Sequence, residues 1–362
     1  MSKKKITFVI EQLIGGGAER VTAALVNEIC KDDSYDVHLV VYKRDTKNDY
    51  KTDDRITWHV MEDKETSRLG AIQHRVSFLR NTIKTIKPDC VLSLGTPRIT
   101  VLLTVAMIGL KCPLILSERN DPKRYPVTKV WRKLRDISYY LADGVVFQTT
   151  EAKECFAKSI MNKSVVICNP LTANLLERHE NERDHRIVNC CRLSKQKNLD
   201  LLIDAFSDIV IEFPNNTLHI YGEGPEKEHL ENKVVNLGLT DKVYFHDYSN
   251  RIHEEINTAS LFVSSSDYEG ISNSMLEAIA LGIPTICTDC PVGGARETIE
   301  HGFNGMLVPV NDRNAMAKAM KEVLSNDELM DTLSKNGYLL REKINVTAIT
   351  EKWLSFIHKN MN

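Results

Sequence analysis

Short, continuous apolar runs alternate along the 362-residue chain with longer stretches in which apolar residues recur at helical spacing. Continuous apolar runs are typical of strands that are buried on both faces of a parallel sheet. The stretches between them predict helices that cover such sheets. The pattern therefore predicts an α/β fold, with strands at residues 6–10, 37–42, 90–94, 113–116, 144–147, 165–167, 187–191 and 218–220.

The length and the apolar content of 42% are sufficient for two hydrophobic cores. Residues 177–186 form the most polar run between two strand-rich halves, which is typical of a linker. We therefore predict a first Rossmann-like domain at residues 1–168, a linker at 169–186, a second Rossmann-like domain at 187–345 and a separate last helix at 346–362.

Two carboxylates lie eight positions apart in the second half, where Glu269 precedes a predicted helix and Glu277 lies within it. Eight residues make a little over two helical turns, so the two carboxylates can point the same way. The first N–H groups of the helix, near Gly270, Ile271 and Ser272, have no partner in the helix and form an anion site. A sugar nucleotide offers both an anion and hydroxyl groups.

Polar and glycine-rich segments follow several predicted strands. Arg192 and Lys197 come directly after the strand at 187–191, and such a pair of cations can also be an ordinary solvated turn. Glycine clusters follow the strands at 6–10 and 218–220, where glycine allows the backbone to approach a ligand closely. These clusters can also be plain turns.

Taken in this order, the segments resemble the motifs of retaining glycosyltransferases of the GT-B type, family 4 or group 1, which have two facing Rossmann-like domains. Members build bacterial surface polysaccharides and lipid-linked glycans. The resemblance implies that Glu269 stabilises the transferred sugar, Glu277 binds the ribose, and Arg192 and Lys197 clamp the donor diphosphate. Cys191 stands where the family usually has glycine.

The same resemblance implies further site residues and a last helix that crosses back to the first domain. The implied donor site comprises Gly270, Ile271, Ser272, Gly16, Gly17, Gly222 and Gly224 in addition to Glu277. The implied acceptor side of the cleft comprises Glu19, Arg20, Glu118, Arg119 and Asn120. Some relatives place a histidine near the last three positions, and this sequence has none there.

Charge is distributed unevenly along the chain. Residues 1–168 hold 28 Lys and Arg against 20 Asp and Glu, and the remainder holds 19 against 29. The basic half concentrates its charge at Lys123–Arg135, around Trp131, and we predict that this region binds an anionic membrane surface. An ordinary solvated helix face would give the same pattern. No recognition motif accompanies the basic region, so we expect no nucleic acid partner.

No Asp-x-Asp metal motif follows a strand, so we expect no metal and no cofactor, with cationic side chains and a helix start acting instead. Nine scattered cysteines are typical of a reducing compartment. No signal peptide is visible, and the apolar stretch 99–110 is too short to span a bilayer. We expect a cytoplasmic protein that is peripheral on the inner face of the membrane.

These observations predict a retaining, metal-independent glycosyltransferase. It would move a hexose or N-acetylhexosamine from a UDP-sugar to a saccharide, most simply one carried on a polyprenyl diphosphate. A UDP-sugar 2-epimerase on the same architecture is one alternative. A catalytically silent, nucleotide-sugar-binding partner of a membrane assembly complex is another, which the joint presence of Glu269, Glu277, Arg192 and Lys197 disfavours.

Overall fold

The computed structural model describes residues 3–62 and 67–361. The chain divides into two compact units. Unit 1 contains the residues up to Pro170 together with those from Asn345 onward, and unit 2 is Leu171–Ile344.

Unit 1 is built on a parallel sheet with the strand order β3-β2-β1-β4-β5-β6-β7. Its strands are β1 Lys4–Ile10, β2 Tyr35–Val41, β3 Thr57–Val60, β4 Cys90–Ser93, β5 Leu114–Glu118, β6 Gly144–Phe147 and β7 Ser164–Val166. Its helices before the crossing to unit 2 are α1 Gly17–Ile29, α2 Arg68–Ile86, α3 Pro97–Met107, α4 Lys129–Leu141, α5 Thr150–Glu154 and α6 Lys158–Met161.

Unit 2 repeats this architecture with the strand order β10-β9-β8-β11-β12-β13, again parallel throughout the described residues. Its strands are β8 Asp184–Cys190, β9 Thr217–Tyr221, β10 Val243–His246, β11 Ala259–Ser264, β12 Thr285–Thr288 and β13 Met306–Val308. Its helices are α7 Leu199–Ile209, α8 Lys227–Asn236, α9 Ile252–Ile256, α10 Asn273–Ala280, α11 Arg313–Leu324, α12 Asp327–Tyr338 and α13 Leu340–Ile344. A short 3-10 helix, Lys195–Lys197, precedes α7.

The predicted α/β fold with two parallel sheets is confirmed. Central strands such as β4 and β6 are buried along their whole length, which is why their continuous apolar runs are visible in the sequence. The edge strands β3 and β10 were not predicted, because each is partly exposed and lacks an apolar run.

The polar run at 177–186 differs from the predicted linker, because it belongs to unit 2. Arg183 donates hydrogen bonds to the carbonyls of Asn257, Ala259 and Gly282, and β8 already begins at Asp184. Burial lowers the pKa of Arg183 to about 10. The charged run at 177–186 thus contributes hydrogen bonds inside unit 2 through Arg183 and does not act as a solvated linker.

The last helix, α14 Val346–Met361, belongs to unit 1 and packs against α1. Trp353 is almost fully buried, and the Phe356 ring lies so close to Gly144 that a methyl group at that glycine would collide with it. The hydroxyl of Tyr35 lies 3.0 Å from Nε2 of His358. The start of β6, at Gly144, is therefore closely packed against the face of α14 that carries Phe356.

Candidate functional site

The predicted donor residues of unit 2 gather where the strand order reverses direction. β8 and β11 are neighbours in the sheet, and the chain leaves them toward opposite sides of it. Open α/β sheets bind ligands outside the carboxyl ends of strands at such a switch point. The segment from Cys191 to Asn198 follows β8, and the segment from Ser265 to Ser272 follows β11.

Two glycines fix the path of the segment that carries Arg192. A methyl group at Gly222 would collide with the carbonyl oxygen of Cys191, and one at Gly224 would collide with the carbonyl oxygen of Leu193. Backbone hydrogen bonds complete this contact, since the N–H of Leu193 donates to Glu223 O at 2.9 Å. Gly222 and Gly224 therefore support the basic segment through backbone packing, which explains why glycine is required at both positions.

Lys197 and Glu269 form an ion pair across the switch point. Nζ of Lys197 donates to Oε2 of Glu269 at 2.7 Å, and the two side chains are 16% and 21% exposed. Nε2 of Gln196 donates to the carbonyl of Tyr268 at 2.8 Å. Burial lowers the pKa of Lys197, but the Glu269 carboxylate outweighs that effect, so the net pKa is raised and the ammonium stays charged.

Backbone and side-chain contacts make the two segments one unit around this pair. The N–H of Asp267 donates to Gln196 O at 2.9 Å, and the hydroxyl of Ser265 donates to Lys197 O at 2.9 Å. Nδ2 of Asn198 donates to Oδ1 of Asp267 at 2.7 Å. The position of the Lys197 ammonium is therefore set by the sheet rather than by a free loop.

Arg192 differs from Lys197 in its surroundings. Its side chain is exposed, and its guanidinium makes no hydrogen bond or ion pair with residues 3–62 or 67–361. The structure thus brings Lys197 and Glu269 together and leaves Arg192 exposed to solvent.

The segment between the two carboxylates is held tightly against another glycine turn. Gly270, Ile271 and Ser272 are buried, and a methyl group at Gly294 would collide with the carbonyl of Gly270. Ser272 caps α10, because its hydroxyl accepts the N–H of Met275 at 3.4 Å. The predicted helix start is present at the beginning of α10, and it directly follows the segment that carries Glu269 of the ion pair.

Glu277 lies inside α10 and is only 5% exposed. Oγ1 of Thr172 donates to its Oε1 at 2.8 Å, and Nε2 of His253 lies 3.1 Å from its Oε2. Neither partner was predicted, because Thr172 precedes β8 and His253 lies in the short helix α9, far from Glu277 in sequence. Only the requirement that a buried carboxylate be hydrogen-bonded could have pointed to such partners.

In unit 1, the predicted glycine loop lies after β1, next to the switch between β1 and β4. Gly16 precedes α1, and the carboxylate of Glu19 folds back over it. Glu11 was not predicted. It accepts hydrogen bonds from Thr96, and burial raises the pKa values of both Glu11 and Glu19, with Glu11 adding to the effect at Glu19. The position of Glu11 directly after the apolar strand β1 was the sequence signal that could have identified it as a site residue.

Gly17 begins α1, and Arg20 lies in its first turn, where its N–H donates to Gly16 O at 3.0 Å. Together with Gly16 and Glu19, these residues occupy one end of the unit 1 sheet. Their predicted roles toward donor and acceptor stay predictions.

Glu118 requires a correction. The sequence predicts that it contacts the acceptor, but it is only 4% exposed and accepts hydrogen bonds from Arg135 at 3.0 Å and from the backbone N–H of Arg119 at 3.0 Å. The Tyr139 hydroxyl lies 3.3 Å from it. Burial raises the pKa of Glu118, and the Arg135 guanidinium opposes that rise. This carboxylate is an internal anchor of unit 1.

Arg119 and Asn120, the other two predicted acceptor residues of this segment, are half-buried. Arg119 donates to Oδ1 of Asn169 at 2.5 Å, and burial lowers its pKa to about 10. Oδ1 of Asn120 accepts the N–H of Asp121 at 2.8 Å. The side chains of the loop after β5 are therefore largely engaged within unit 1.

The basic region Lys123–Arg135 also differs from its prediction. Arg135 is buried and donates to Glu118, to the carbonyl of Pro122 at 3.1 Å and to the carbonyl of Tyr125 at 2.8 Å. It therefore cannot contribute to a lipid-facing charge. Lys123, Lys129 and Lys133 are exposed.

Residues 3–62 and 67–361 contain neither a cluster of metal-binding side chains nor a helix suited to cross a bilayer. No group of three or more His, Cys, Asp or Glu side chains in these ranges could hold a metal ion. No helix in the same ranges combines the length and apolar content that crossing a bilayer requires.

Residues 175–340 match the family described as Glycosyl transferases group 1. Over 99% of both chains, the protein is 26% identical to GalNAc-alpha-(1->4)-GalNAc-alpha-(1->3)-diNAcBac-PP-undecaprenol alpha-1,4-N-acetyl-D-galactosaminyltransferase of Campylobacter jejuni. Over 90% of its length and 92% of the relative, it is 26% identical to N-acetylgalactosamine-N,N'-diacetylbacillosaminyl-diphospho-undecaprenol 4-alpha-N-acetylgalactosaminyltransferase of the same organism.

The fold is similar to that of Anabaena Alr3699/HepE, crystallised in complex with UDP-glucose. The TM-score is 0.84 at 18% identity, covering 98% of this chain and 99% of the other. At this identity the likeness shows the fold alone, and it is the GT-B fold that the resemblance implied.

Proposed function

We propose that the chain, whose residues 175–340 match Glycosyl transferases group 1, transfers a hexose or N-acetylhexosamine from a UDP-sugar to a lipid-linked saccharide. The observation that carries the proposal is the Lys197–Glu269 ion pair at the switch point of unit 2. Two relatives whose names specify undecaprenyl diphosphate-linked acceptors support an acceptor of that class.

The ion pair fits the charge that develops when a sugar leaves a diphosphate. Breaking the bond between the anomeric carbon and the diphosphate places negative charge on UDP and positive charge on the sugar ring. An ammonium has three N–H donors, and Lys197 uses one of them on Glu269. Its other donors and the exposed Arg192 would stabilise the leaving diphosphate.

Glu269 would act on the opposite charge. Its carboxylate is fixed by Lys197 and lies at the start of the buried segment that leads into α10. There it would accept hydrogen bonds from sugar hydroxyls and stabilise the oxocarbenium-like ring, which is consistent with retention of configuration. Glu277 would accept hydrogen bonds from the ribose, oriented by Thr172 and His253.

Metal independence and attachment at the inner face of the cytoplasmic membrane belong to the same proposal. A cation pair and a helix start supply positive charge where other enzymes use a divalent ion. Turnover should therefore survive thorough chelation with EDTA. Loss of turnover that magnesium or manganese restores would contradict this part of the mechanism.

A thermal-shift screen of UDP- and GDP-sugars tests donor binding, because a ligand that binds only the folded state raises Tm. Turnover of the selected donor is then measured with and without a lipid-linked saccharide. A glycosyltransferase needs the acceptor for product formation, a 2-epimerase converts the donor without it, and a silent binding protein shows a Tm shift without turnover. Either of the last two results would replace the proposal.

A further inference from the structure

We infer that Ser266 is a positioning residue for the proposed glycosyl transfer, because its hydroxyl binds one buried water that in turn holds the carboxylate of Glu269. Ser266 lies after β11, three residues before Glu269, and is only 2% exposed. Its Oγ is buried and makes no hydrogen bond with residues 3–62 or 67–361. Leaving a buried hydroxyl unpaired is costly, so this atom requires a partner other than those residues.

The cavity that Ser266 lines is of the right size for a water molecule. It lies at the carboxyl ends of β11 and β12, where Ser264 and Cys287 line it, and Glu269 lines it as well. The space open to the centre of a water molecule is about 10 Å³. That is close to what a single buried water requires and far below the volume of a sugar site. The cavity therefore fits a water and excludes the donor sugar.

The backbone of Ser266 is fixed at this cavity. Its carbonyl accepts hydrogen bonds from Oγ1 of Thr288 at 2.6 Å and from Sγ of Cys290 at 2.8 Å. These two donor atoms lie 3.4 Å from each other. Thr288 and Cys290 are thus already engaged, and the hydroxyl of Ser266 is the polar group of this cluster that still needs a partner.

Glu269 is held through one of its two carboxylate oxygens. Its Oε2 accepts hydrogen bonds from Lys197 at 2.7 Å and from Gln196 at 3.4 Å, whereas no described residue donates to its Oε1. The last torsion of a glutamate side chain is broad, so one fixed oxygen does not define the plane of the carboxylate. A carboxylate offers about four lone pairs. A water between Ser266 and Glu269 therefore restricts this torsion and leaves lone pairs for the substrate.

The cavity also provides the partners that such a water needs. Buried waters make roughly three hydrogen bonds. The hydroxyl of Ser266 can donate or accept, Glu269 accepts, and Ser264 is a further hydroxyl-bearing residue in the lining. One water thus pairs the buried hydroxyl and transmits its position to the Glu269 carboxylate.

The first test measures UDP release with acceptor for Ser266→Ala. A small misplacement of a reacting group can cost up to about 100-fold in rate, so kcat should fall about 10- to 100-fold while KM for the UDP-sugar stays nearly unchanged. Ser260→Ala is the matched control, because Ser260 is a buried serine of β11 whose hydroxyl donates to Arg186 O at 2.9 Å. This control should lower Tm and leave kcat unchanged.

Two further replacements separate a water from a direct contact between Ser266 and the donor. Ser266→Thr keeps the hydroxyl, but its extra methyl group leaves no room for a water in a cavity of this size. A role through the water predicts that this variant loses kcat as Ser266→Ala does, whereas direct contact predicts a normal kcat and would contradict the inference. Ser266→Gly opens space for a second water and should recover part of the kcat lost in Ser266→Ala.

Two measurements examine the water without catalysis. Removing a hydroxyl that had no partner at all would raise Tm, so we expect no rise in Tm for Ser266→Ala. A crystal structure of the wild type that resolves ordered solvent should show a water within hydrogen-bond distance of both Ser266 Oγ and the Glu269 carboxylate. The same cavity without a water, a raised Tm for Ser266→Ala, or a wild-type kcat in that variant would overturn the inference.

The inference rests on the proposed function only for its effect on kcat. A wild-type enzyme that transfers no sugar would contradict the proposed function, and the crystal structure and the Tm comparison would still decide whether the water is present. An active wild type with an unaltered Ser266→Ala variant would contradict the inference alone. The two failures are therefore distinguishable.

Discussion

Replacing Lys197 with Met removes the ammonium of the central ion pair and keeps most of the aliphatic stem. At 2.7 Å and an effective dielectric constant of about 20, the gross attraction between Lys197 and Glu269 is about 6 kcal/mol. Desolvation offsets most of this value. The pair is neither fully exposed nor fully buried, so the net loss of folding free energy should be about 2 kcal/mol, between the surface and buried limits.

Catalysis should suffer more than stability. Losing one preorganised group that stabilises transition-state charge typically lowers kcat by about 10²–10³-fold, or roughly 3–4 kcal/mol. We therefore expect Lys197→Met to lose that factor in kcat at saturating UDP-sugar. The assay is UDP release with acceptor, accompanied by urea unfolding of the same preparations. In the sequence Lys197 lies in a polar turn, which by itself gives no reason to expect a loss of stability.

Two comparisons sharpen this experiment. Lys195→Met removes an exposed lysine two positions away and should change neither kcat nor stability. Combining Lys197→Met with Glu269→Gln removes the uncompensated carboxylate, so stability should recover while activity should not. A Lys197→Met enzyme that folds normally and retains kcat within a few-fold of wild type would refute the reasoning.

Three further outcomes are expected. His253→Ala removes a hydrogen bond to Glu277 and should raise KM for UDP-sugar about tenfold with little change in kcat, since a hydrogen bond to a charged group contributes about 1.5–3 kcal/mol. Arg135→Met leaves the Glu118 carboxylate buried without its cation and should destabilise folding by about 3–5 kcal/mol in urea. Burial raises the pKa of Glu11, so its folded carboxyl favours the protonated form, and stability is lost as pH rises through that pKa. Glu11→Gln should therefore raise Tm at neutral pH, and the gain should fade as the pH falls below the usual pKa of Glu.

Each of these variants has a control. His253→Gln keeps an N–H donor and should restore KM in part, whereas an unchanged KM in His253→Ala would contradict the orienting role. Lys133→Met removes an exposed cation of the same helix, and an equal urea midpoint for it and Arg135→Met would contradict the anchor. Glu154→Gln, at an exposed site, should not change Tm, and a lower Tm for Glu11→Gln at neutral pH would reverse the sign of our argument.

The sequence reveals those parts of the fold that depend on local patterns. Strands buried on both faces, such as β6, leave continuous apolar runs, and Lys197 and Glu269 lie in short segments with a fixed order. The parallel sheets were therefore predictable. The roles of the individual site residues stay predictions.

Contacts between distant segments could not be predicted in this way. Thr172 and His253 meet Glu277 only because β8, α9 and α10 are brought together by the sheet of unit 2. Arg135 looks like one of several surface cations in the sequence, and its burial follows from Glu118 at the end of β5. A charged residue in a basic run carries no local signal that distinguishes an anchor from a solvated side chain.

The placement of α14 makes unit 1 discontinuous in sequence, and this has a consequence for synthesis on the ribosome. Unit 2 is one contiguous segment and can complete its core as soon as Ile344 has emerged. Most of unit 1 is translated first, but its packing is completed only by Trp353 and Phe356. These two residues are translated after unit 2. The half of the chain that is made first is thus the last to finish folding. Until α14 is made, the apolar surface beside Gly144 that it covers is accessible to chaperones.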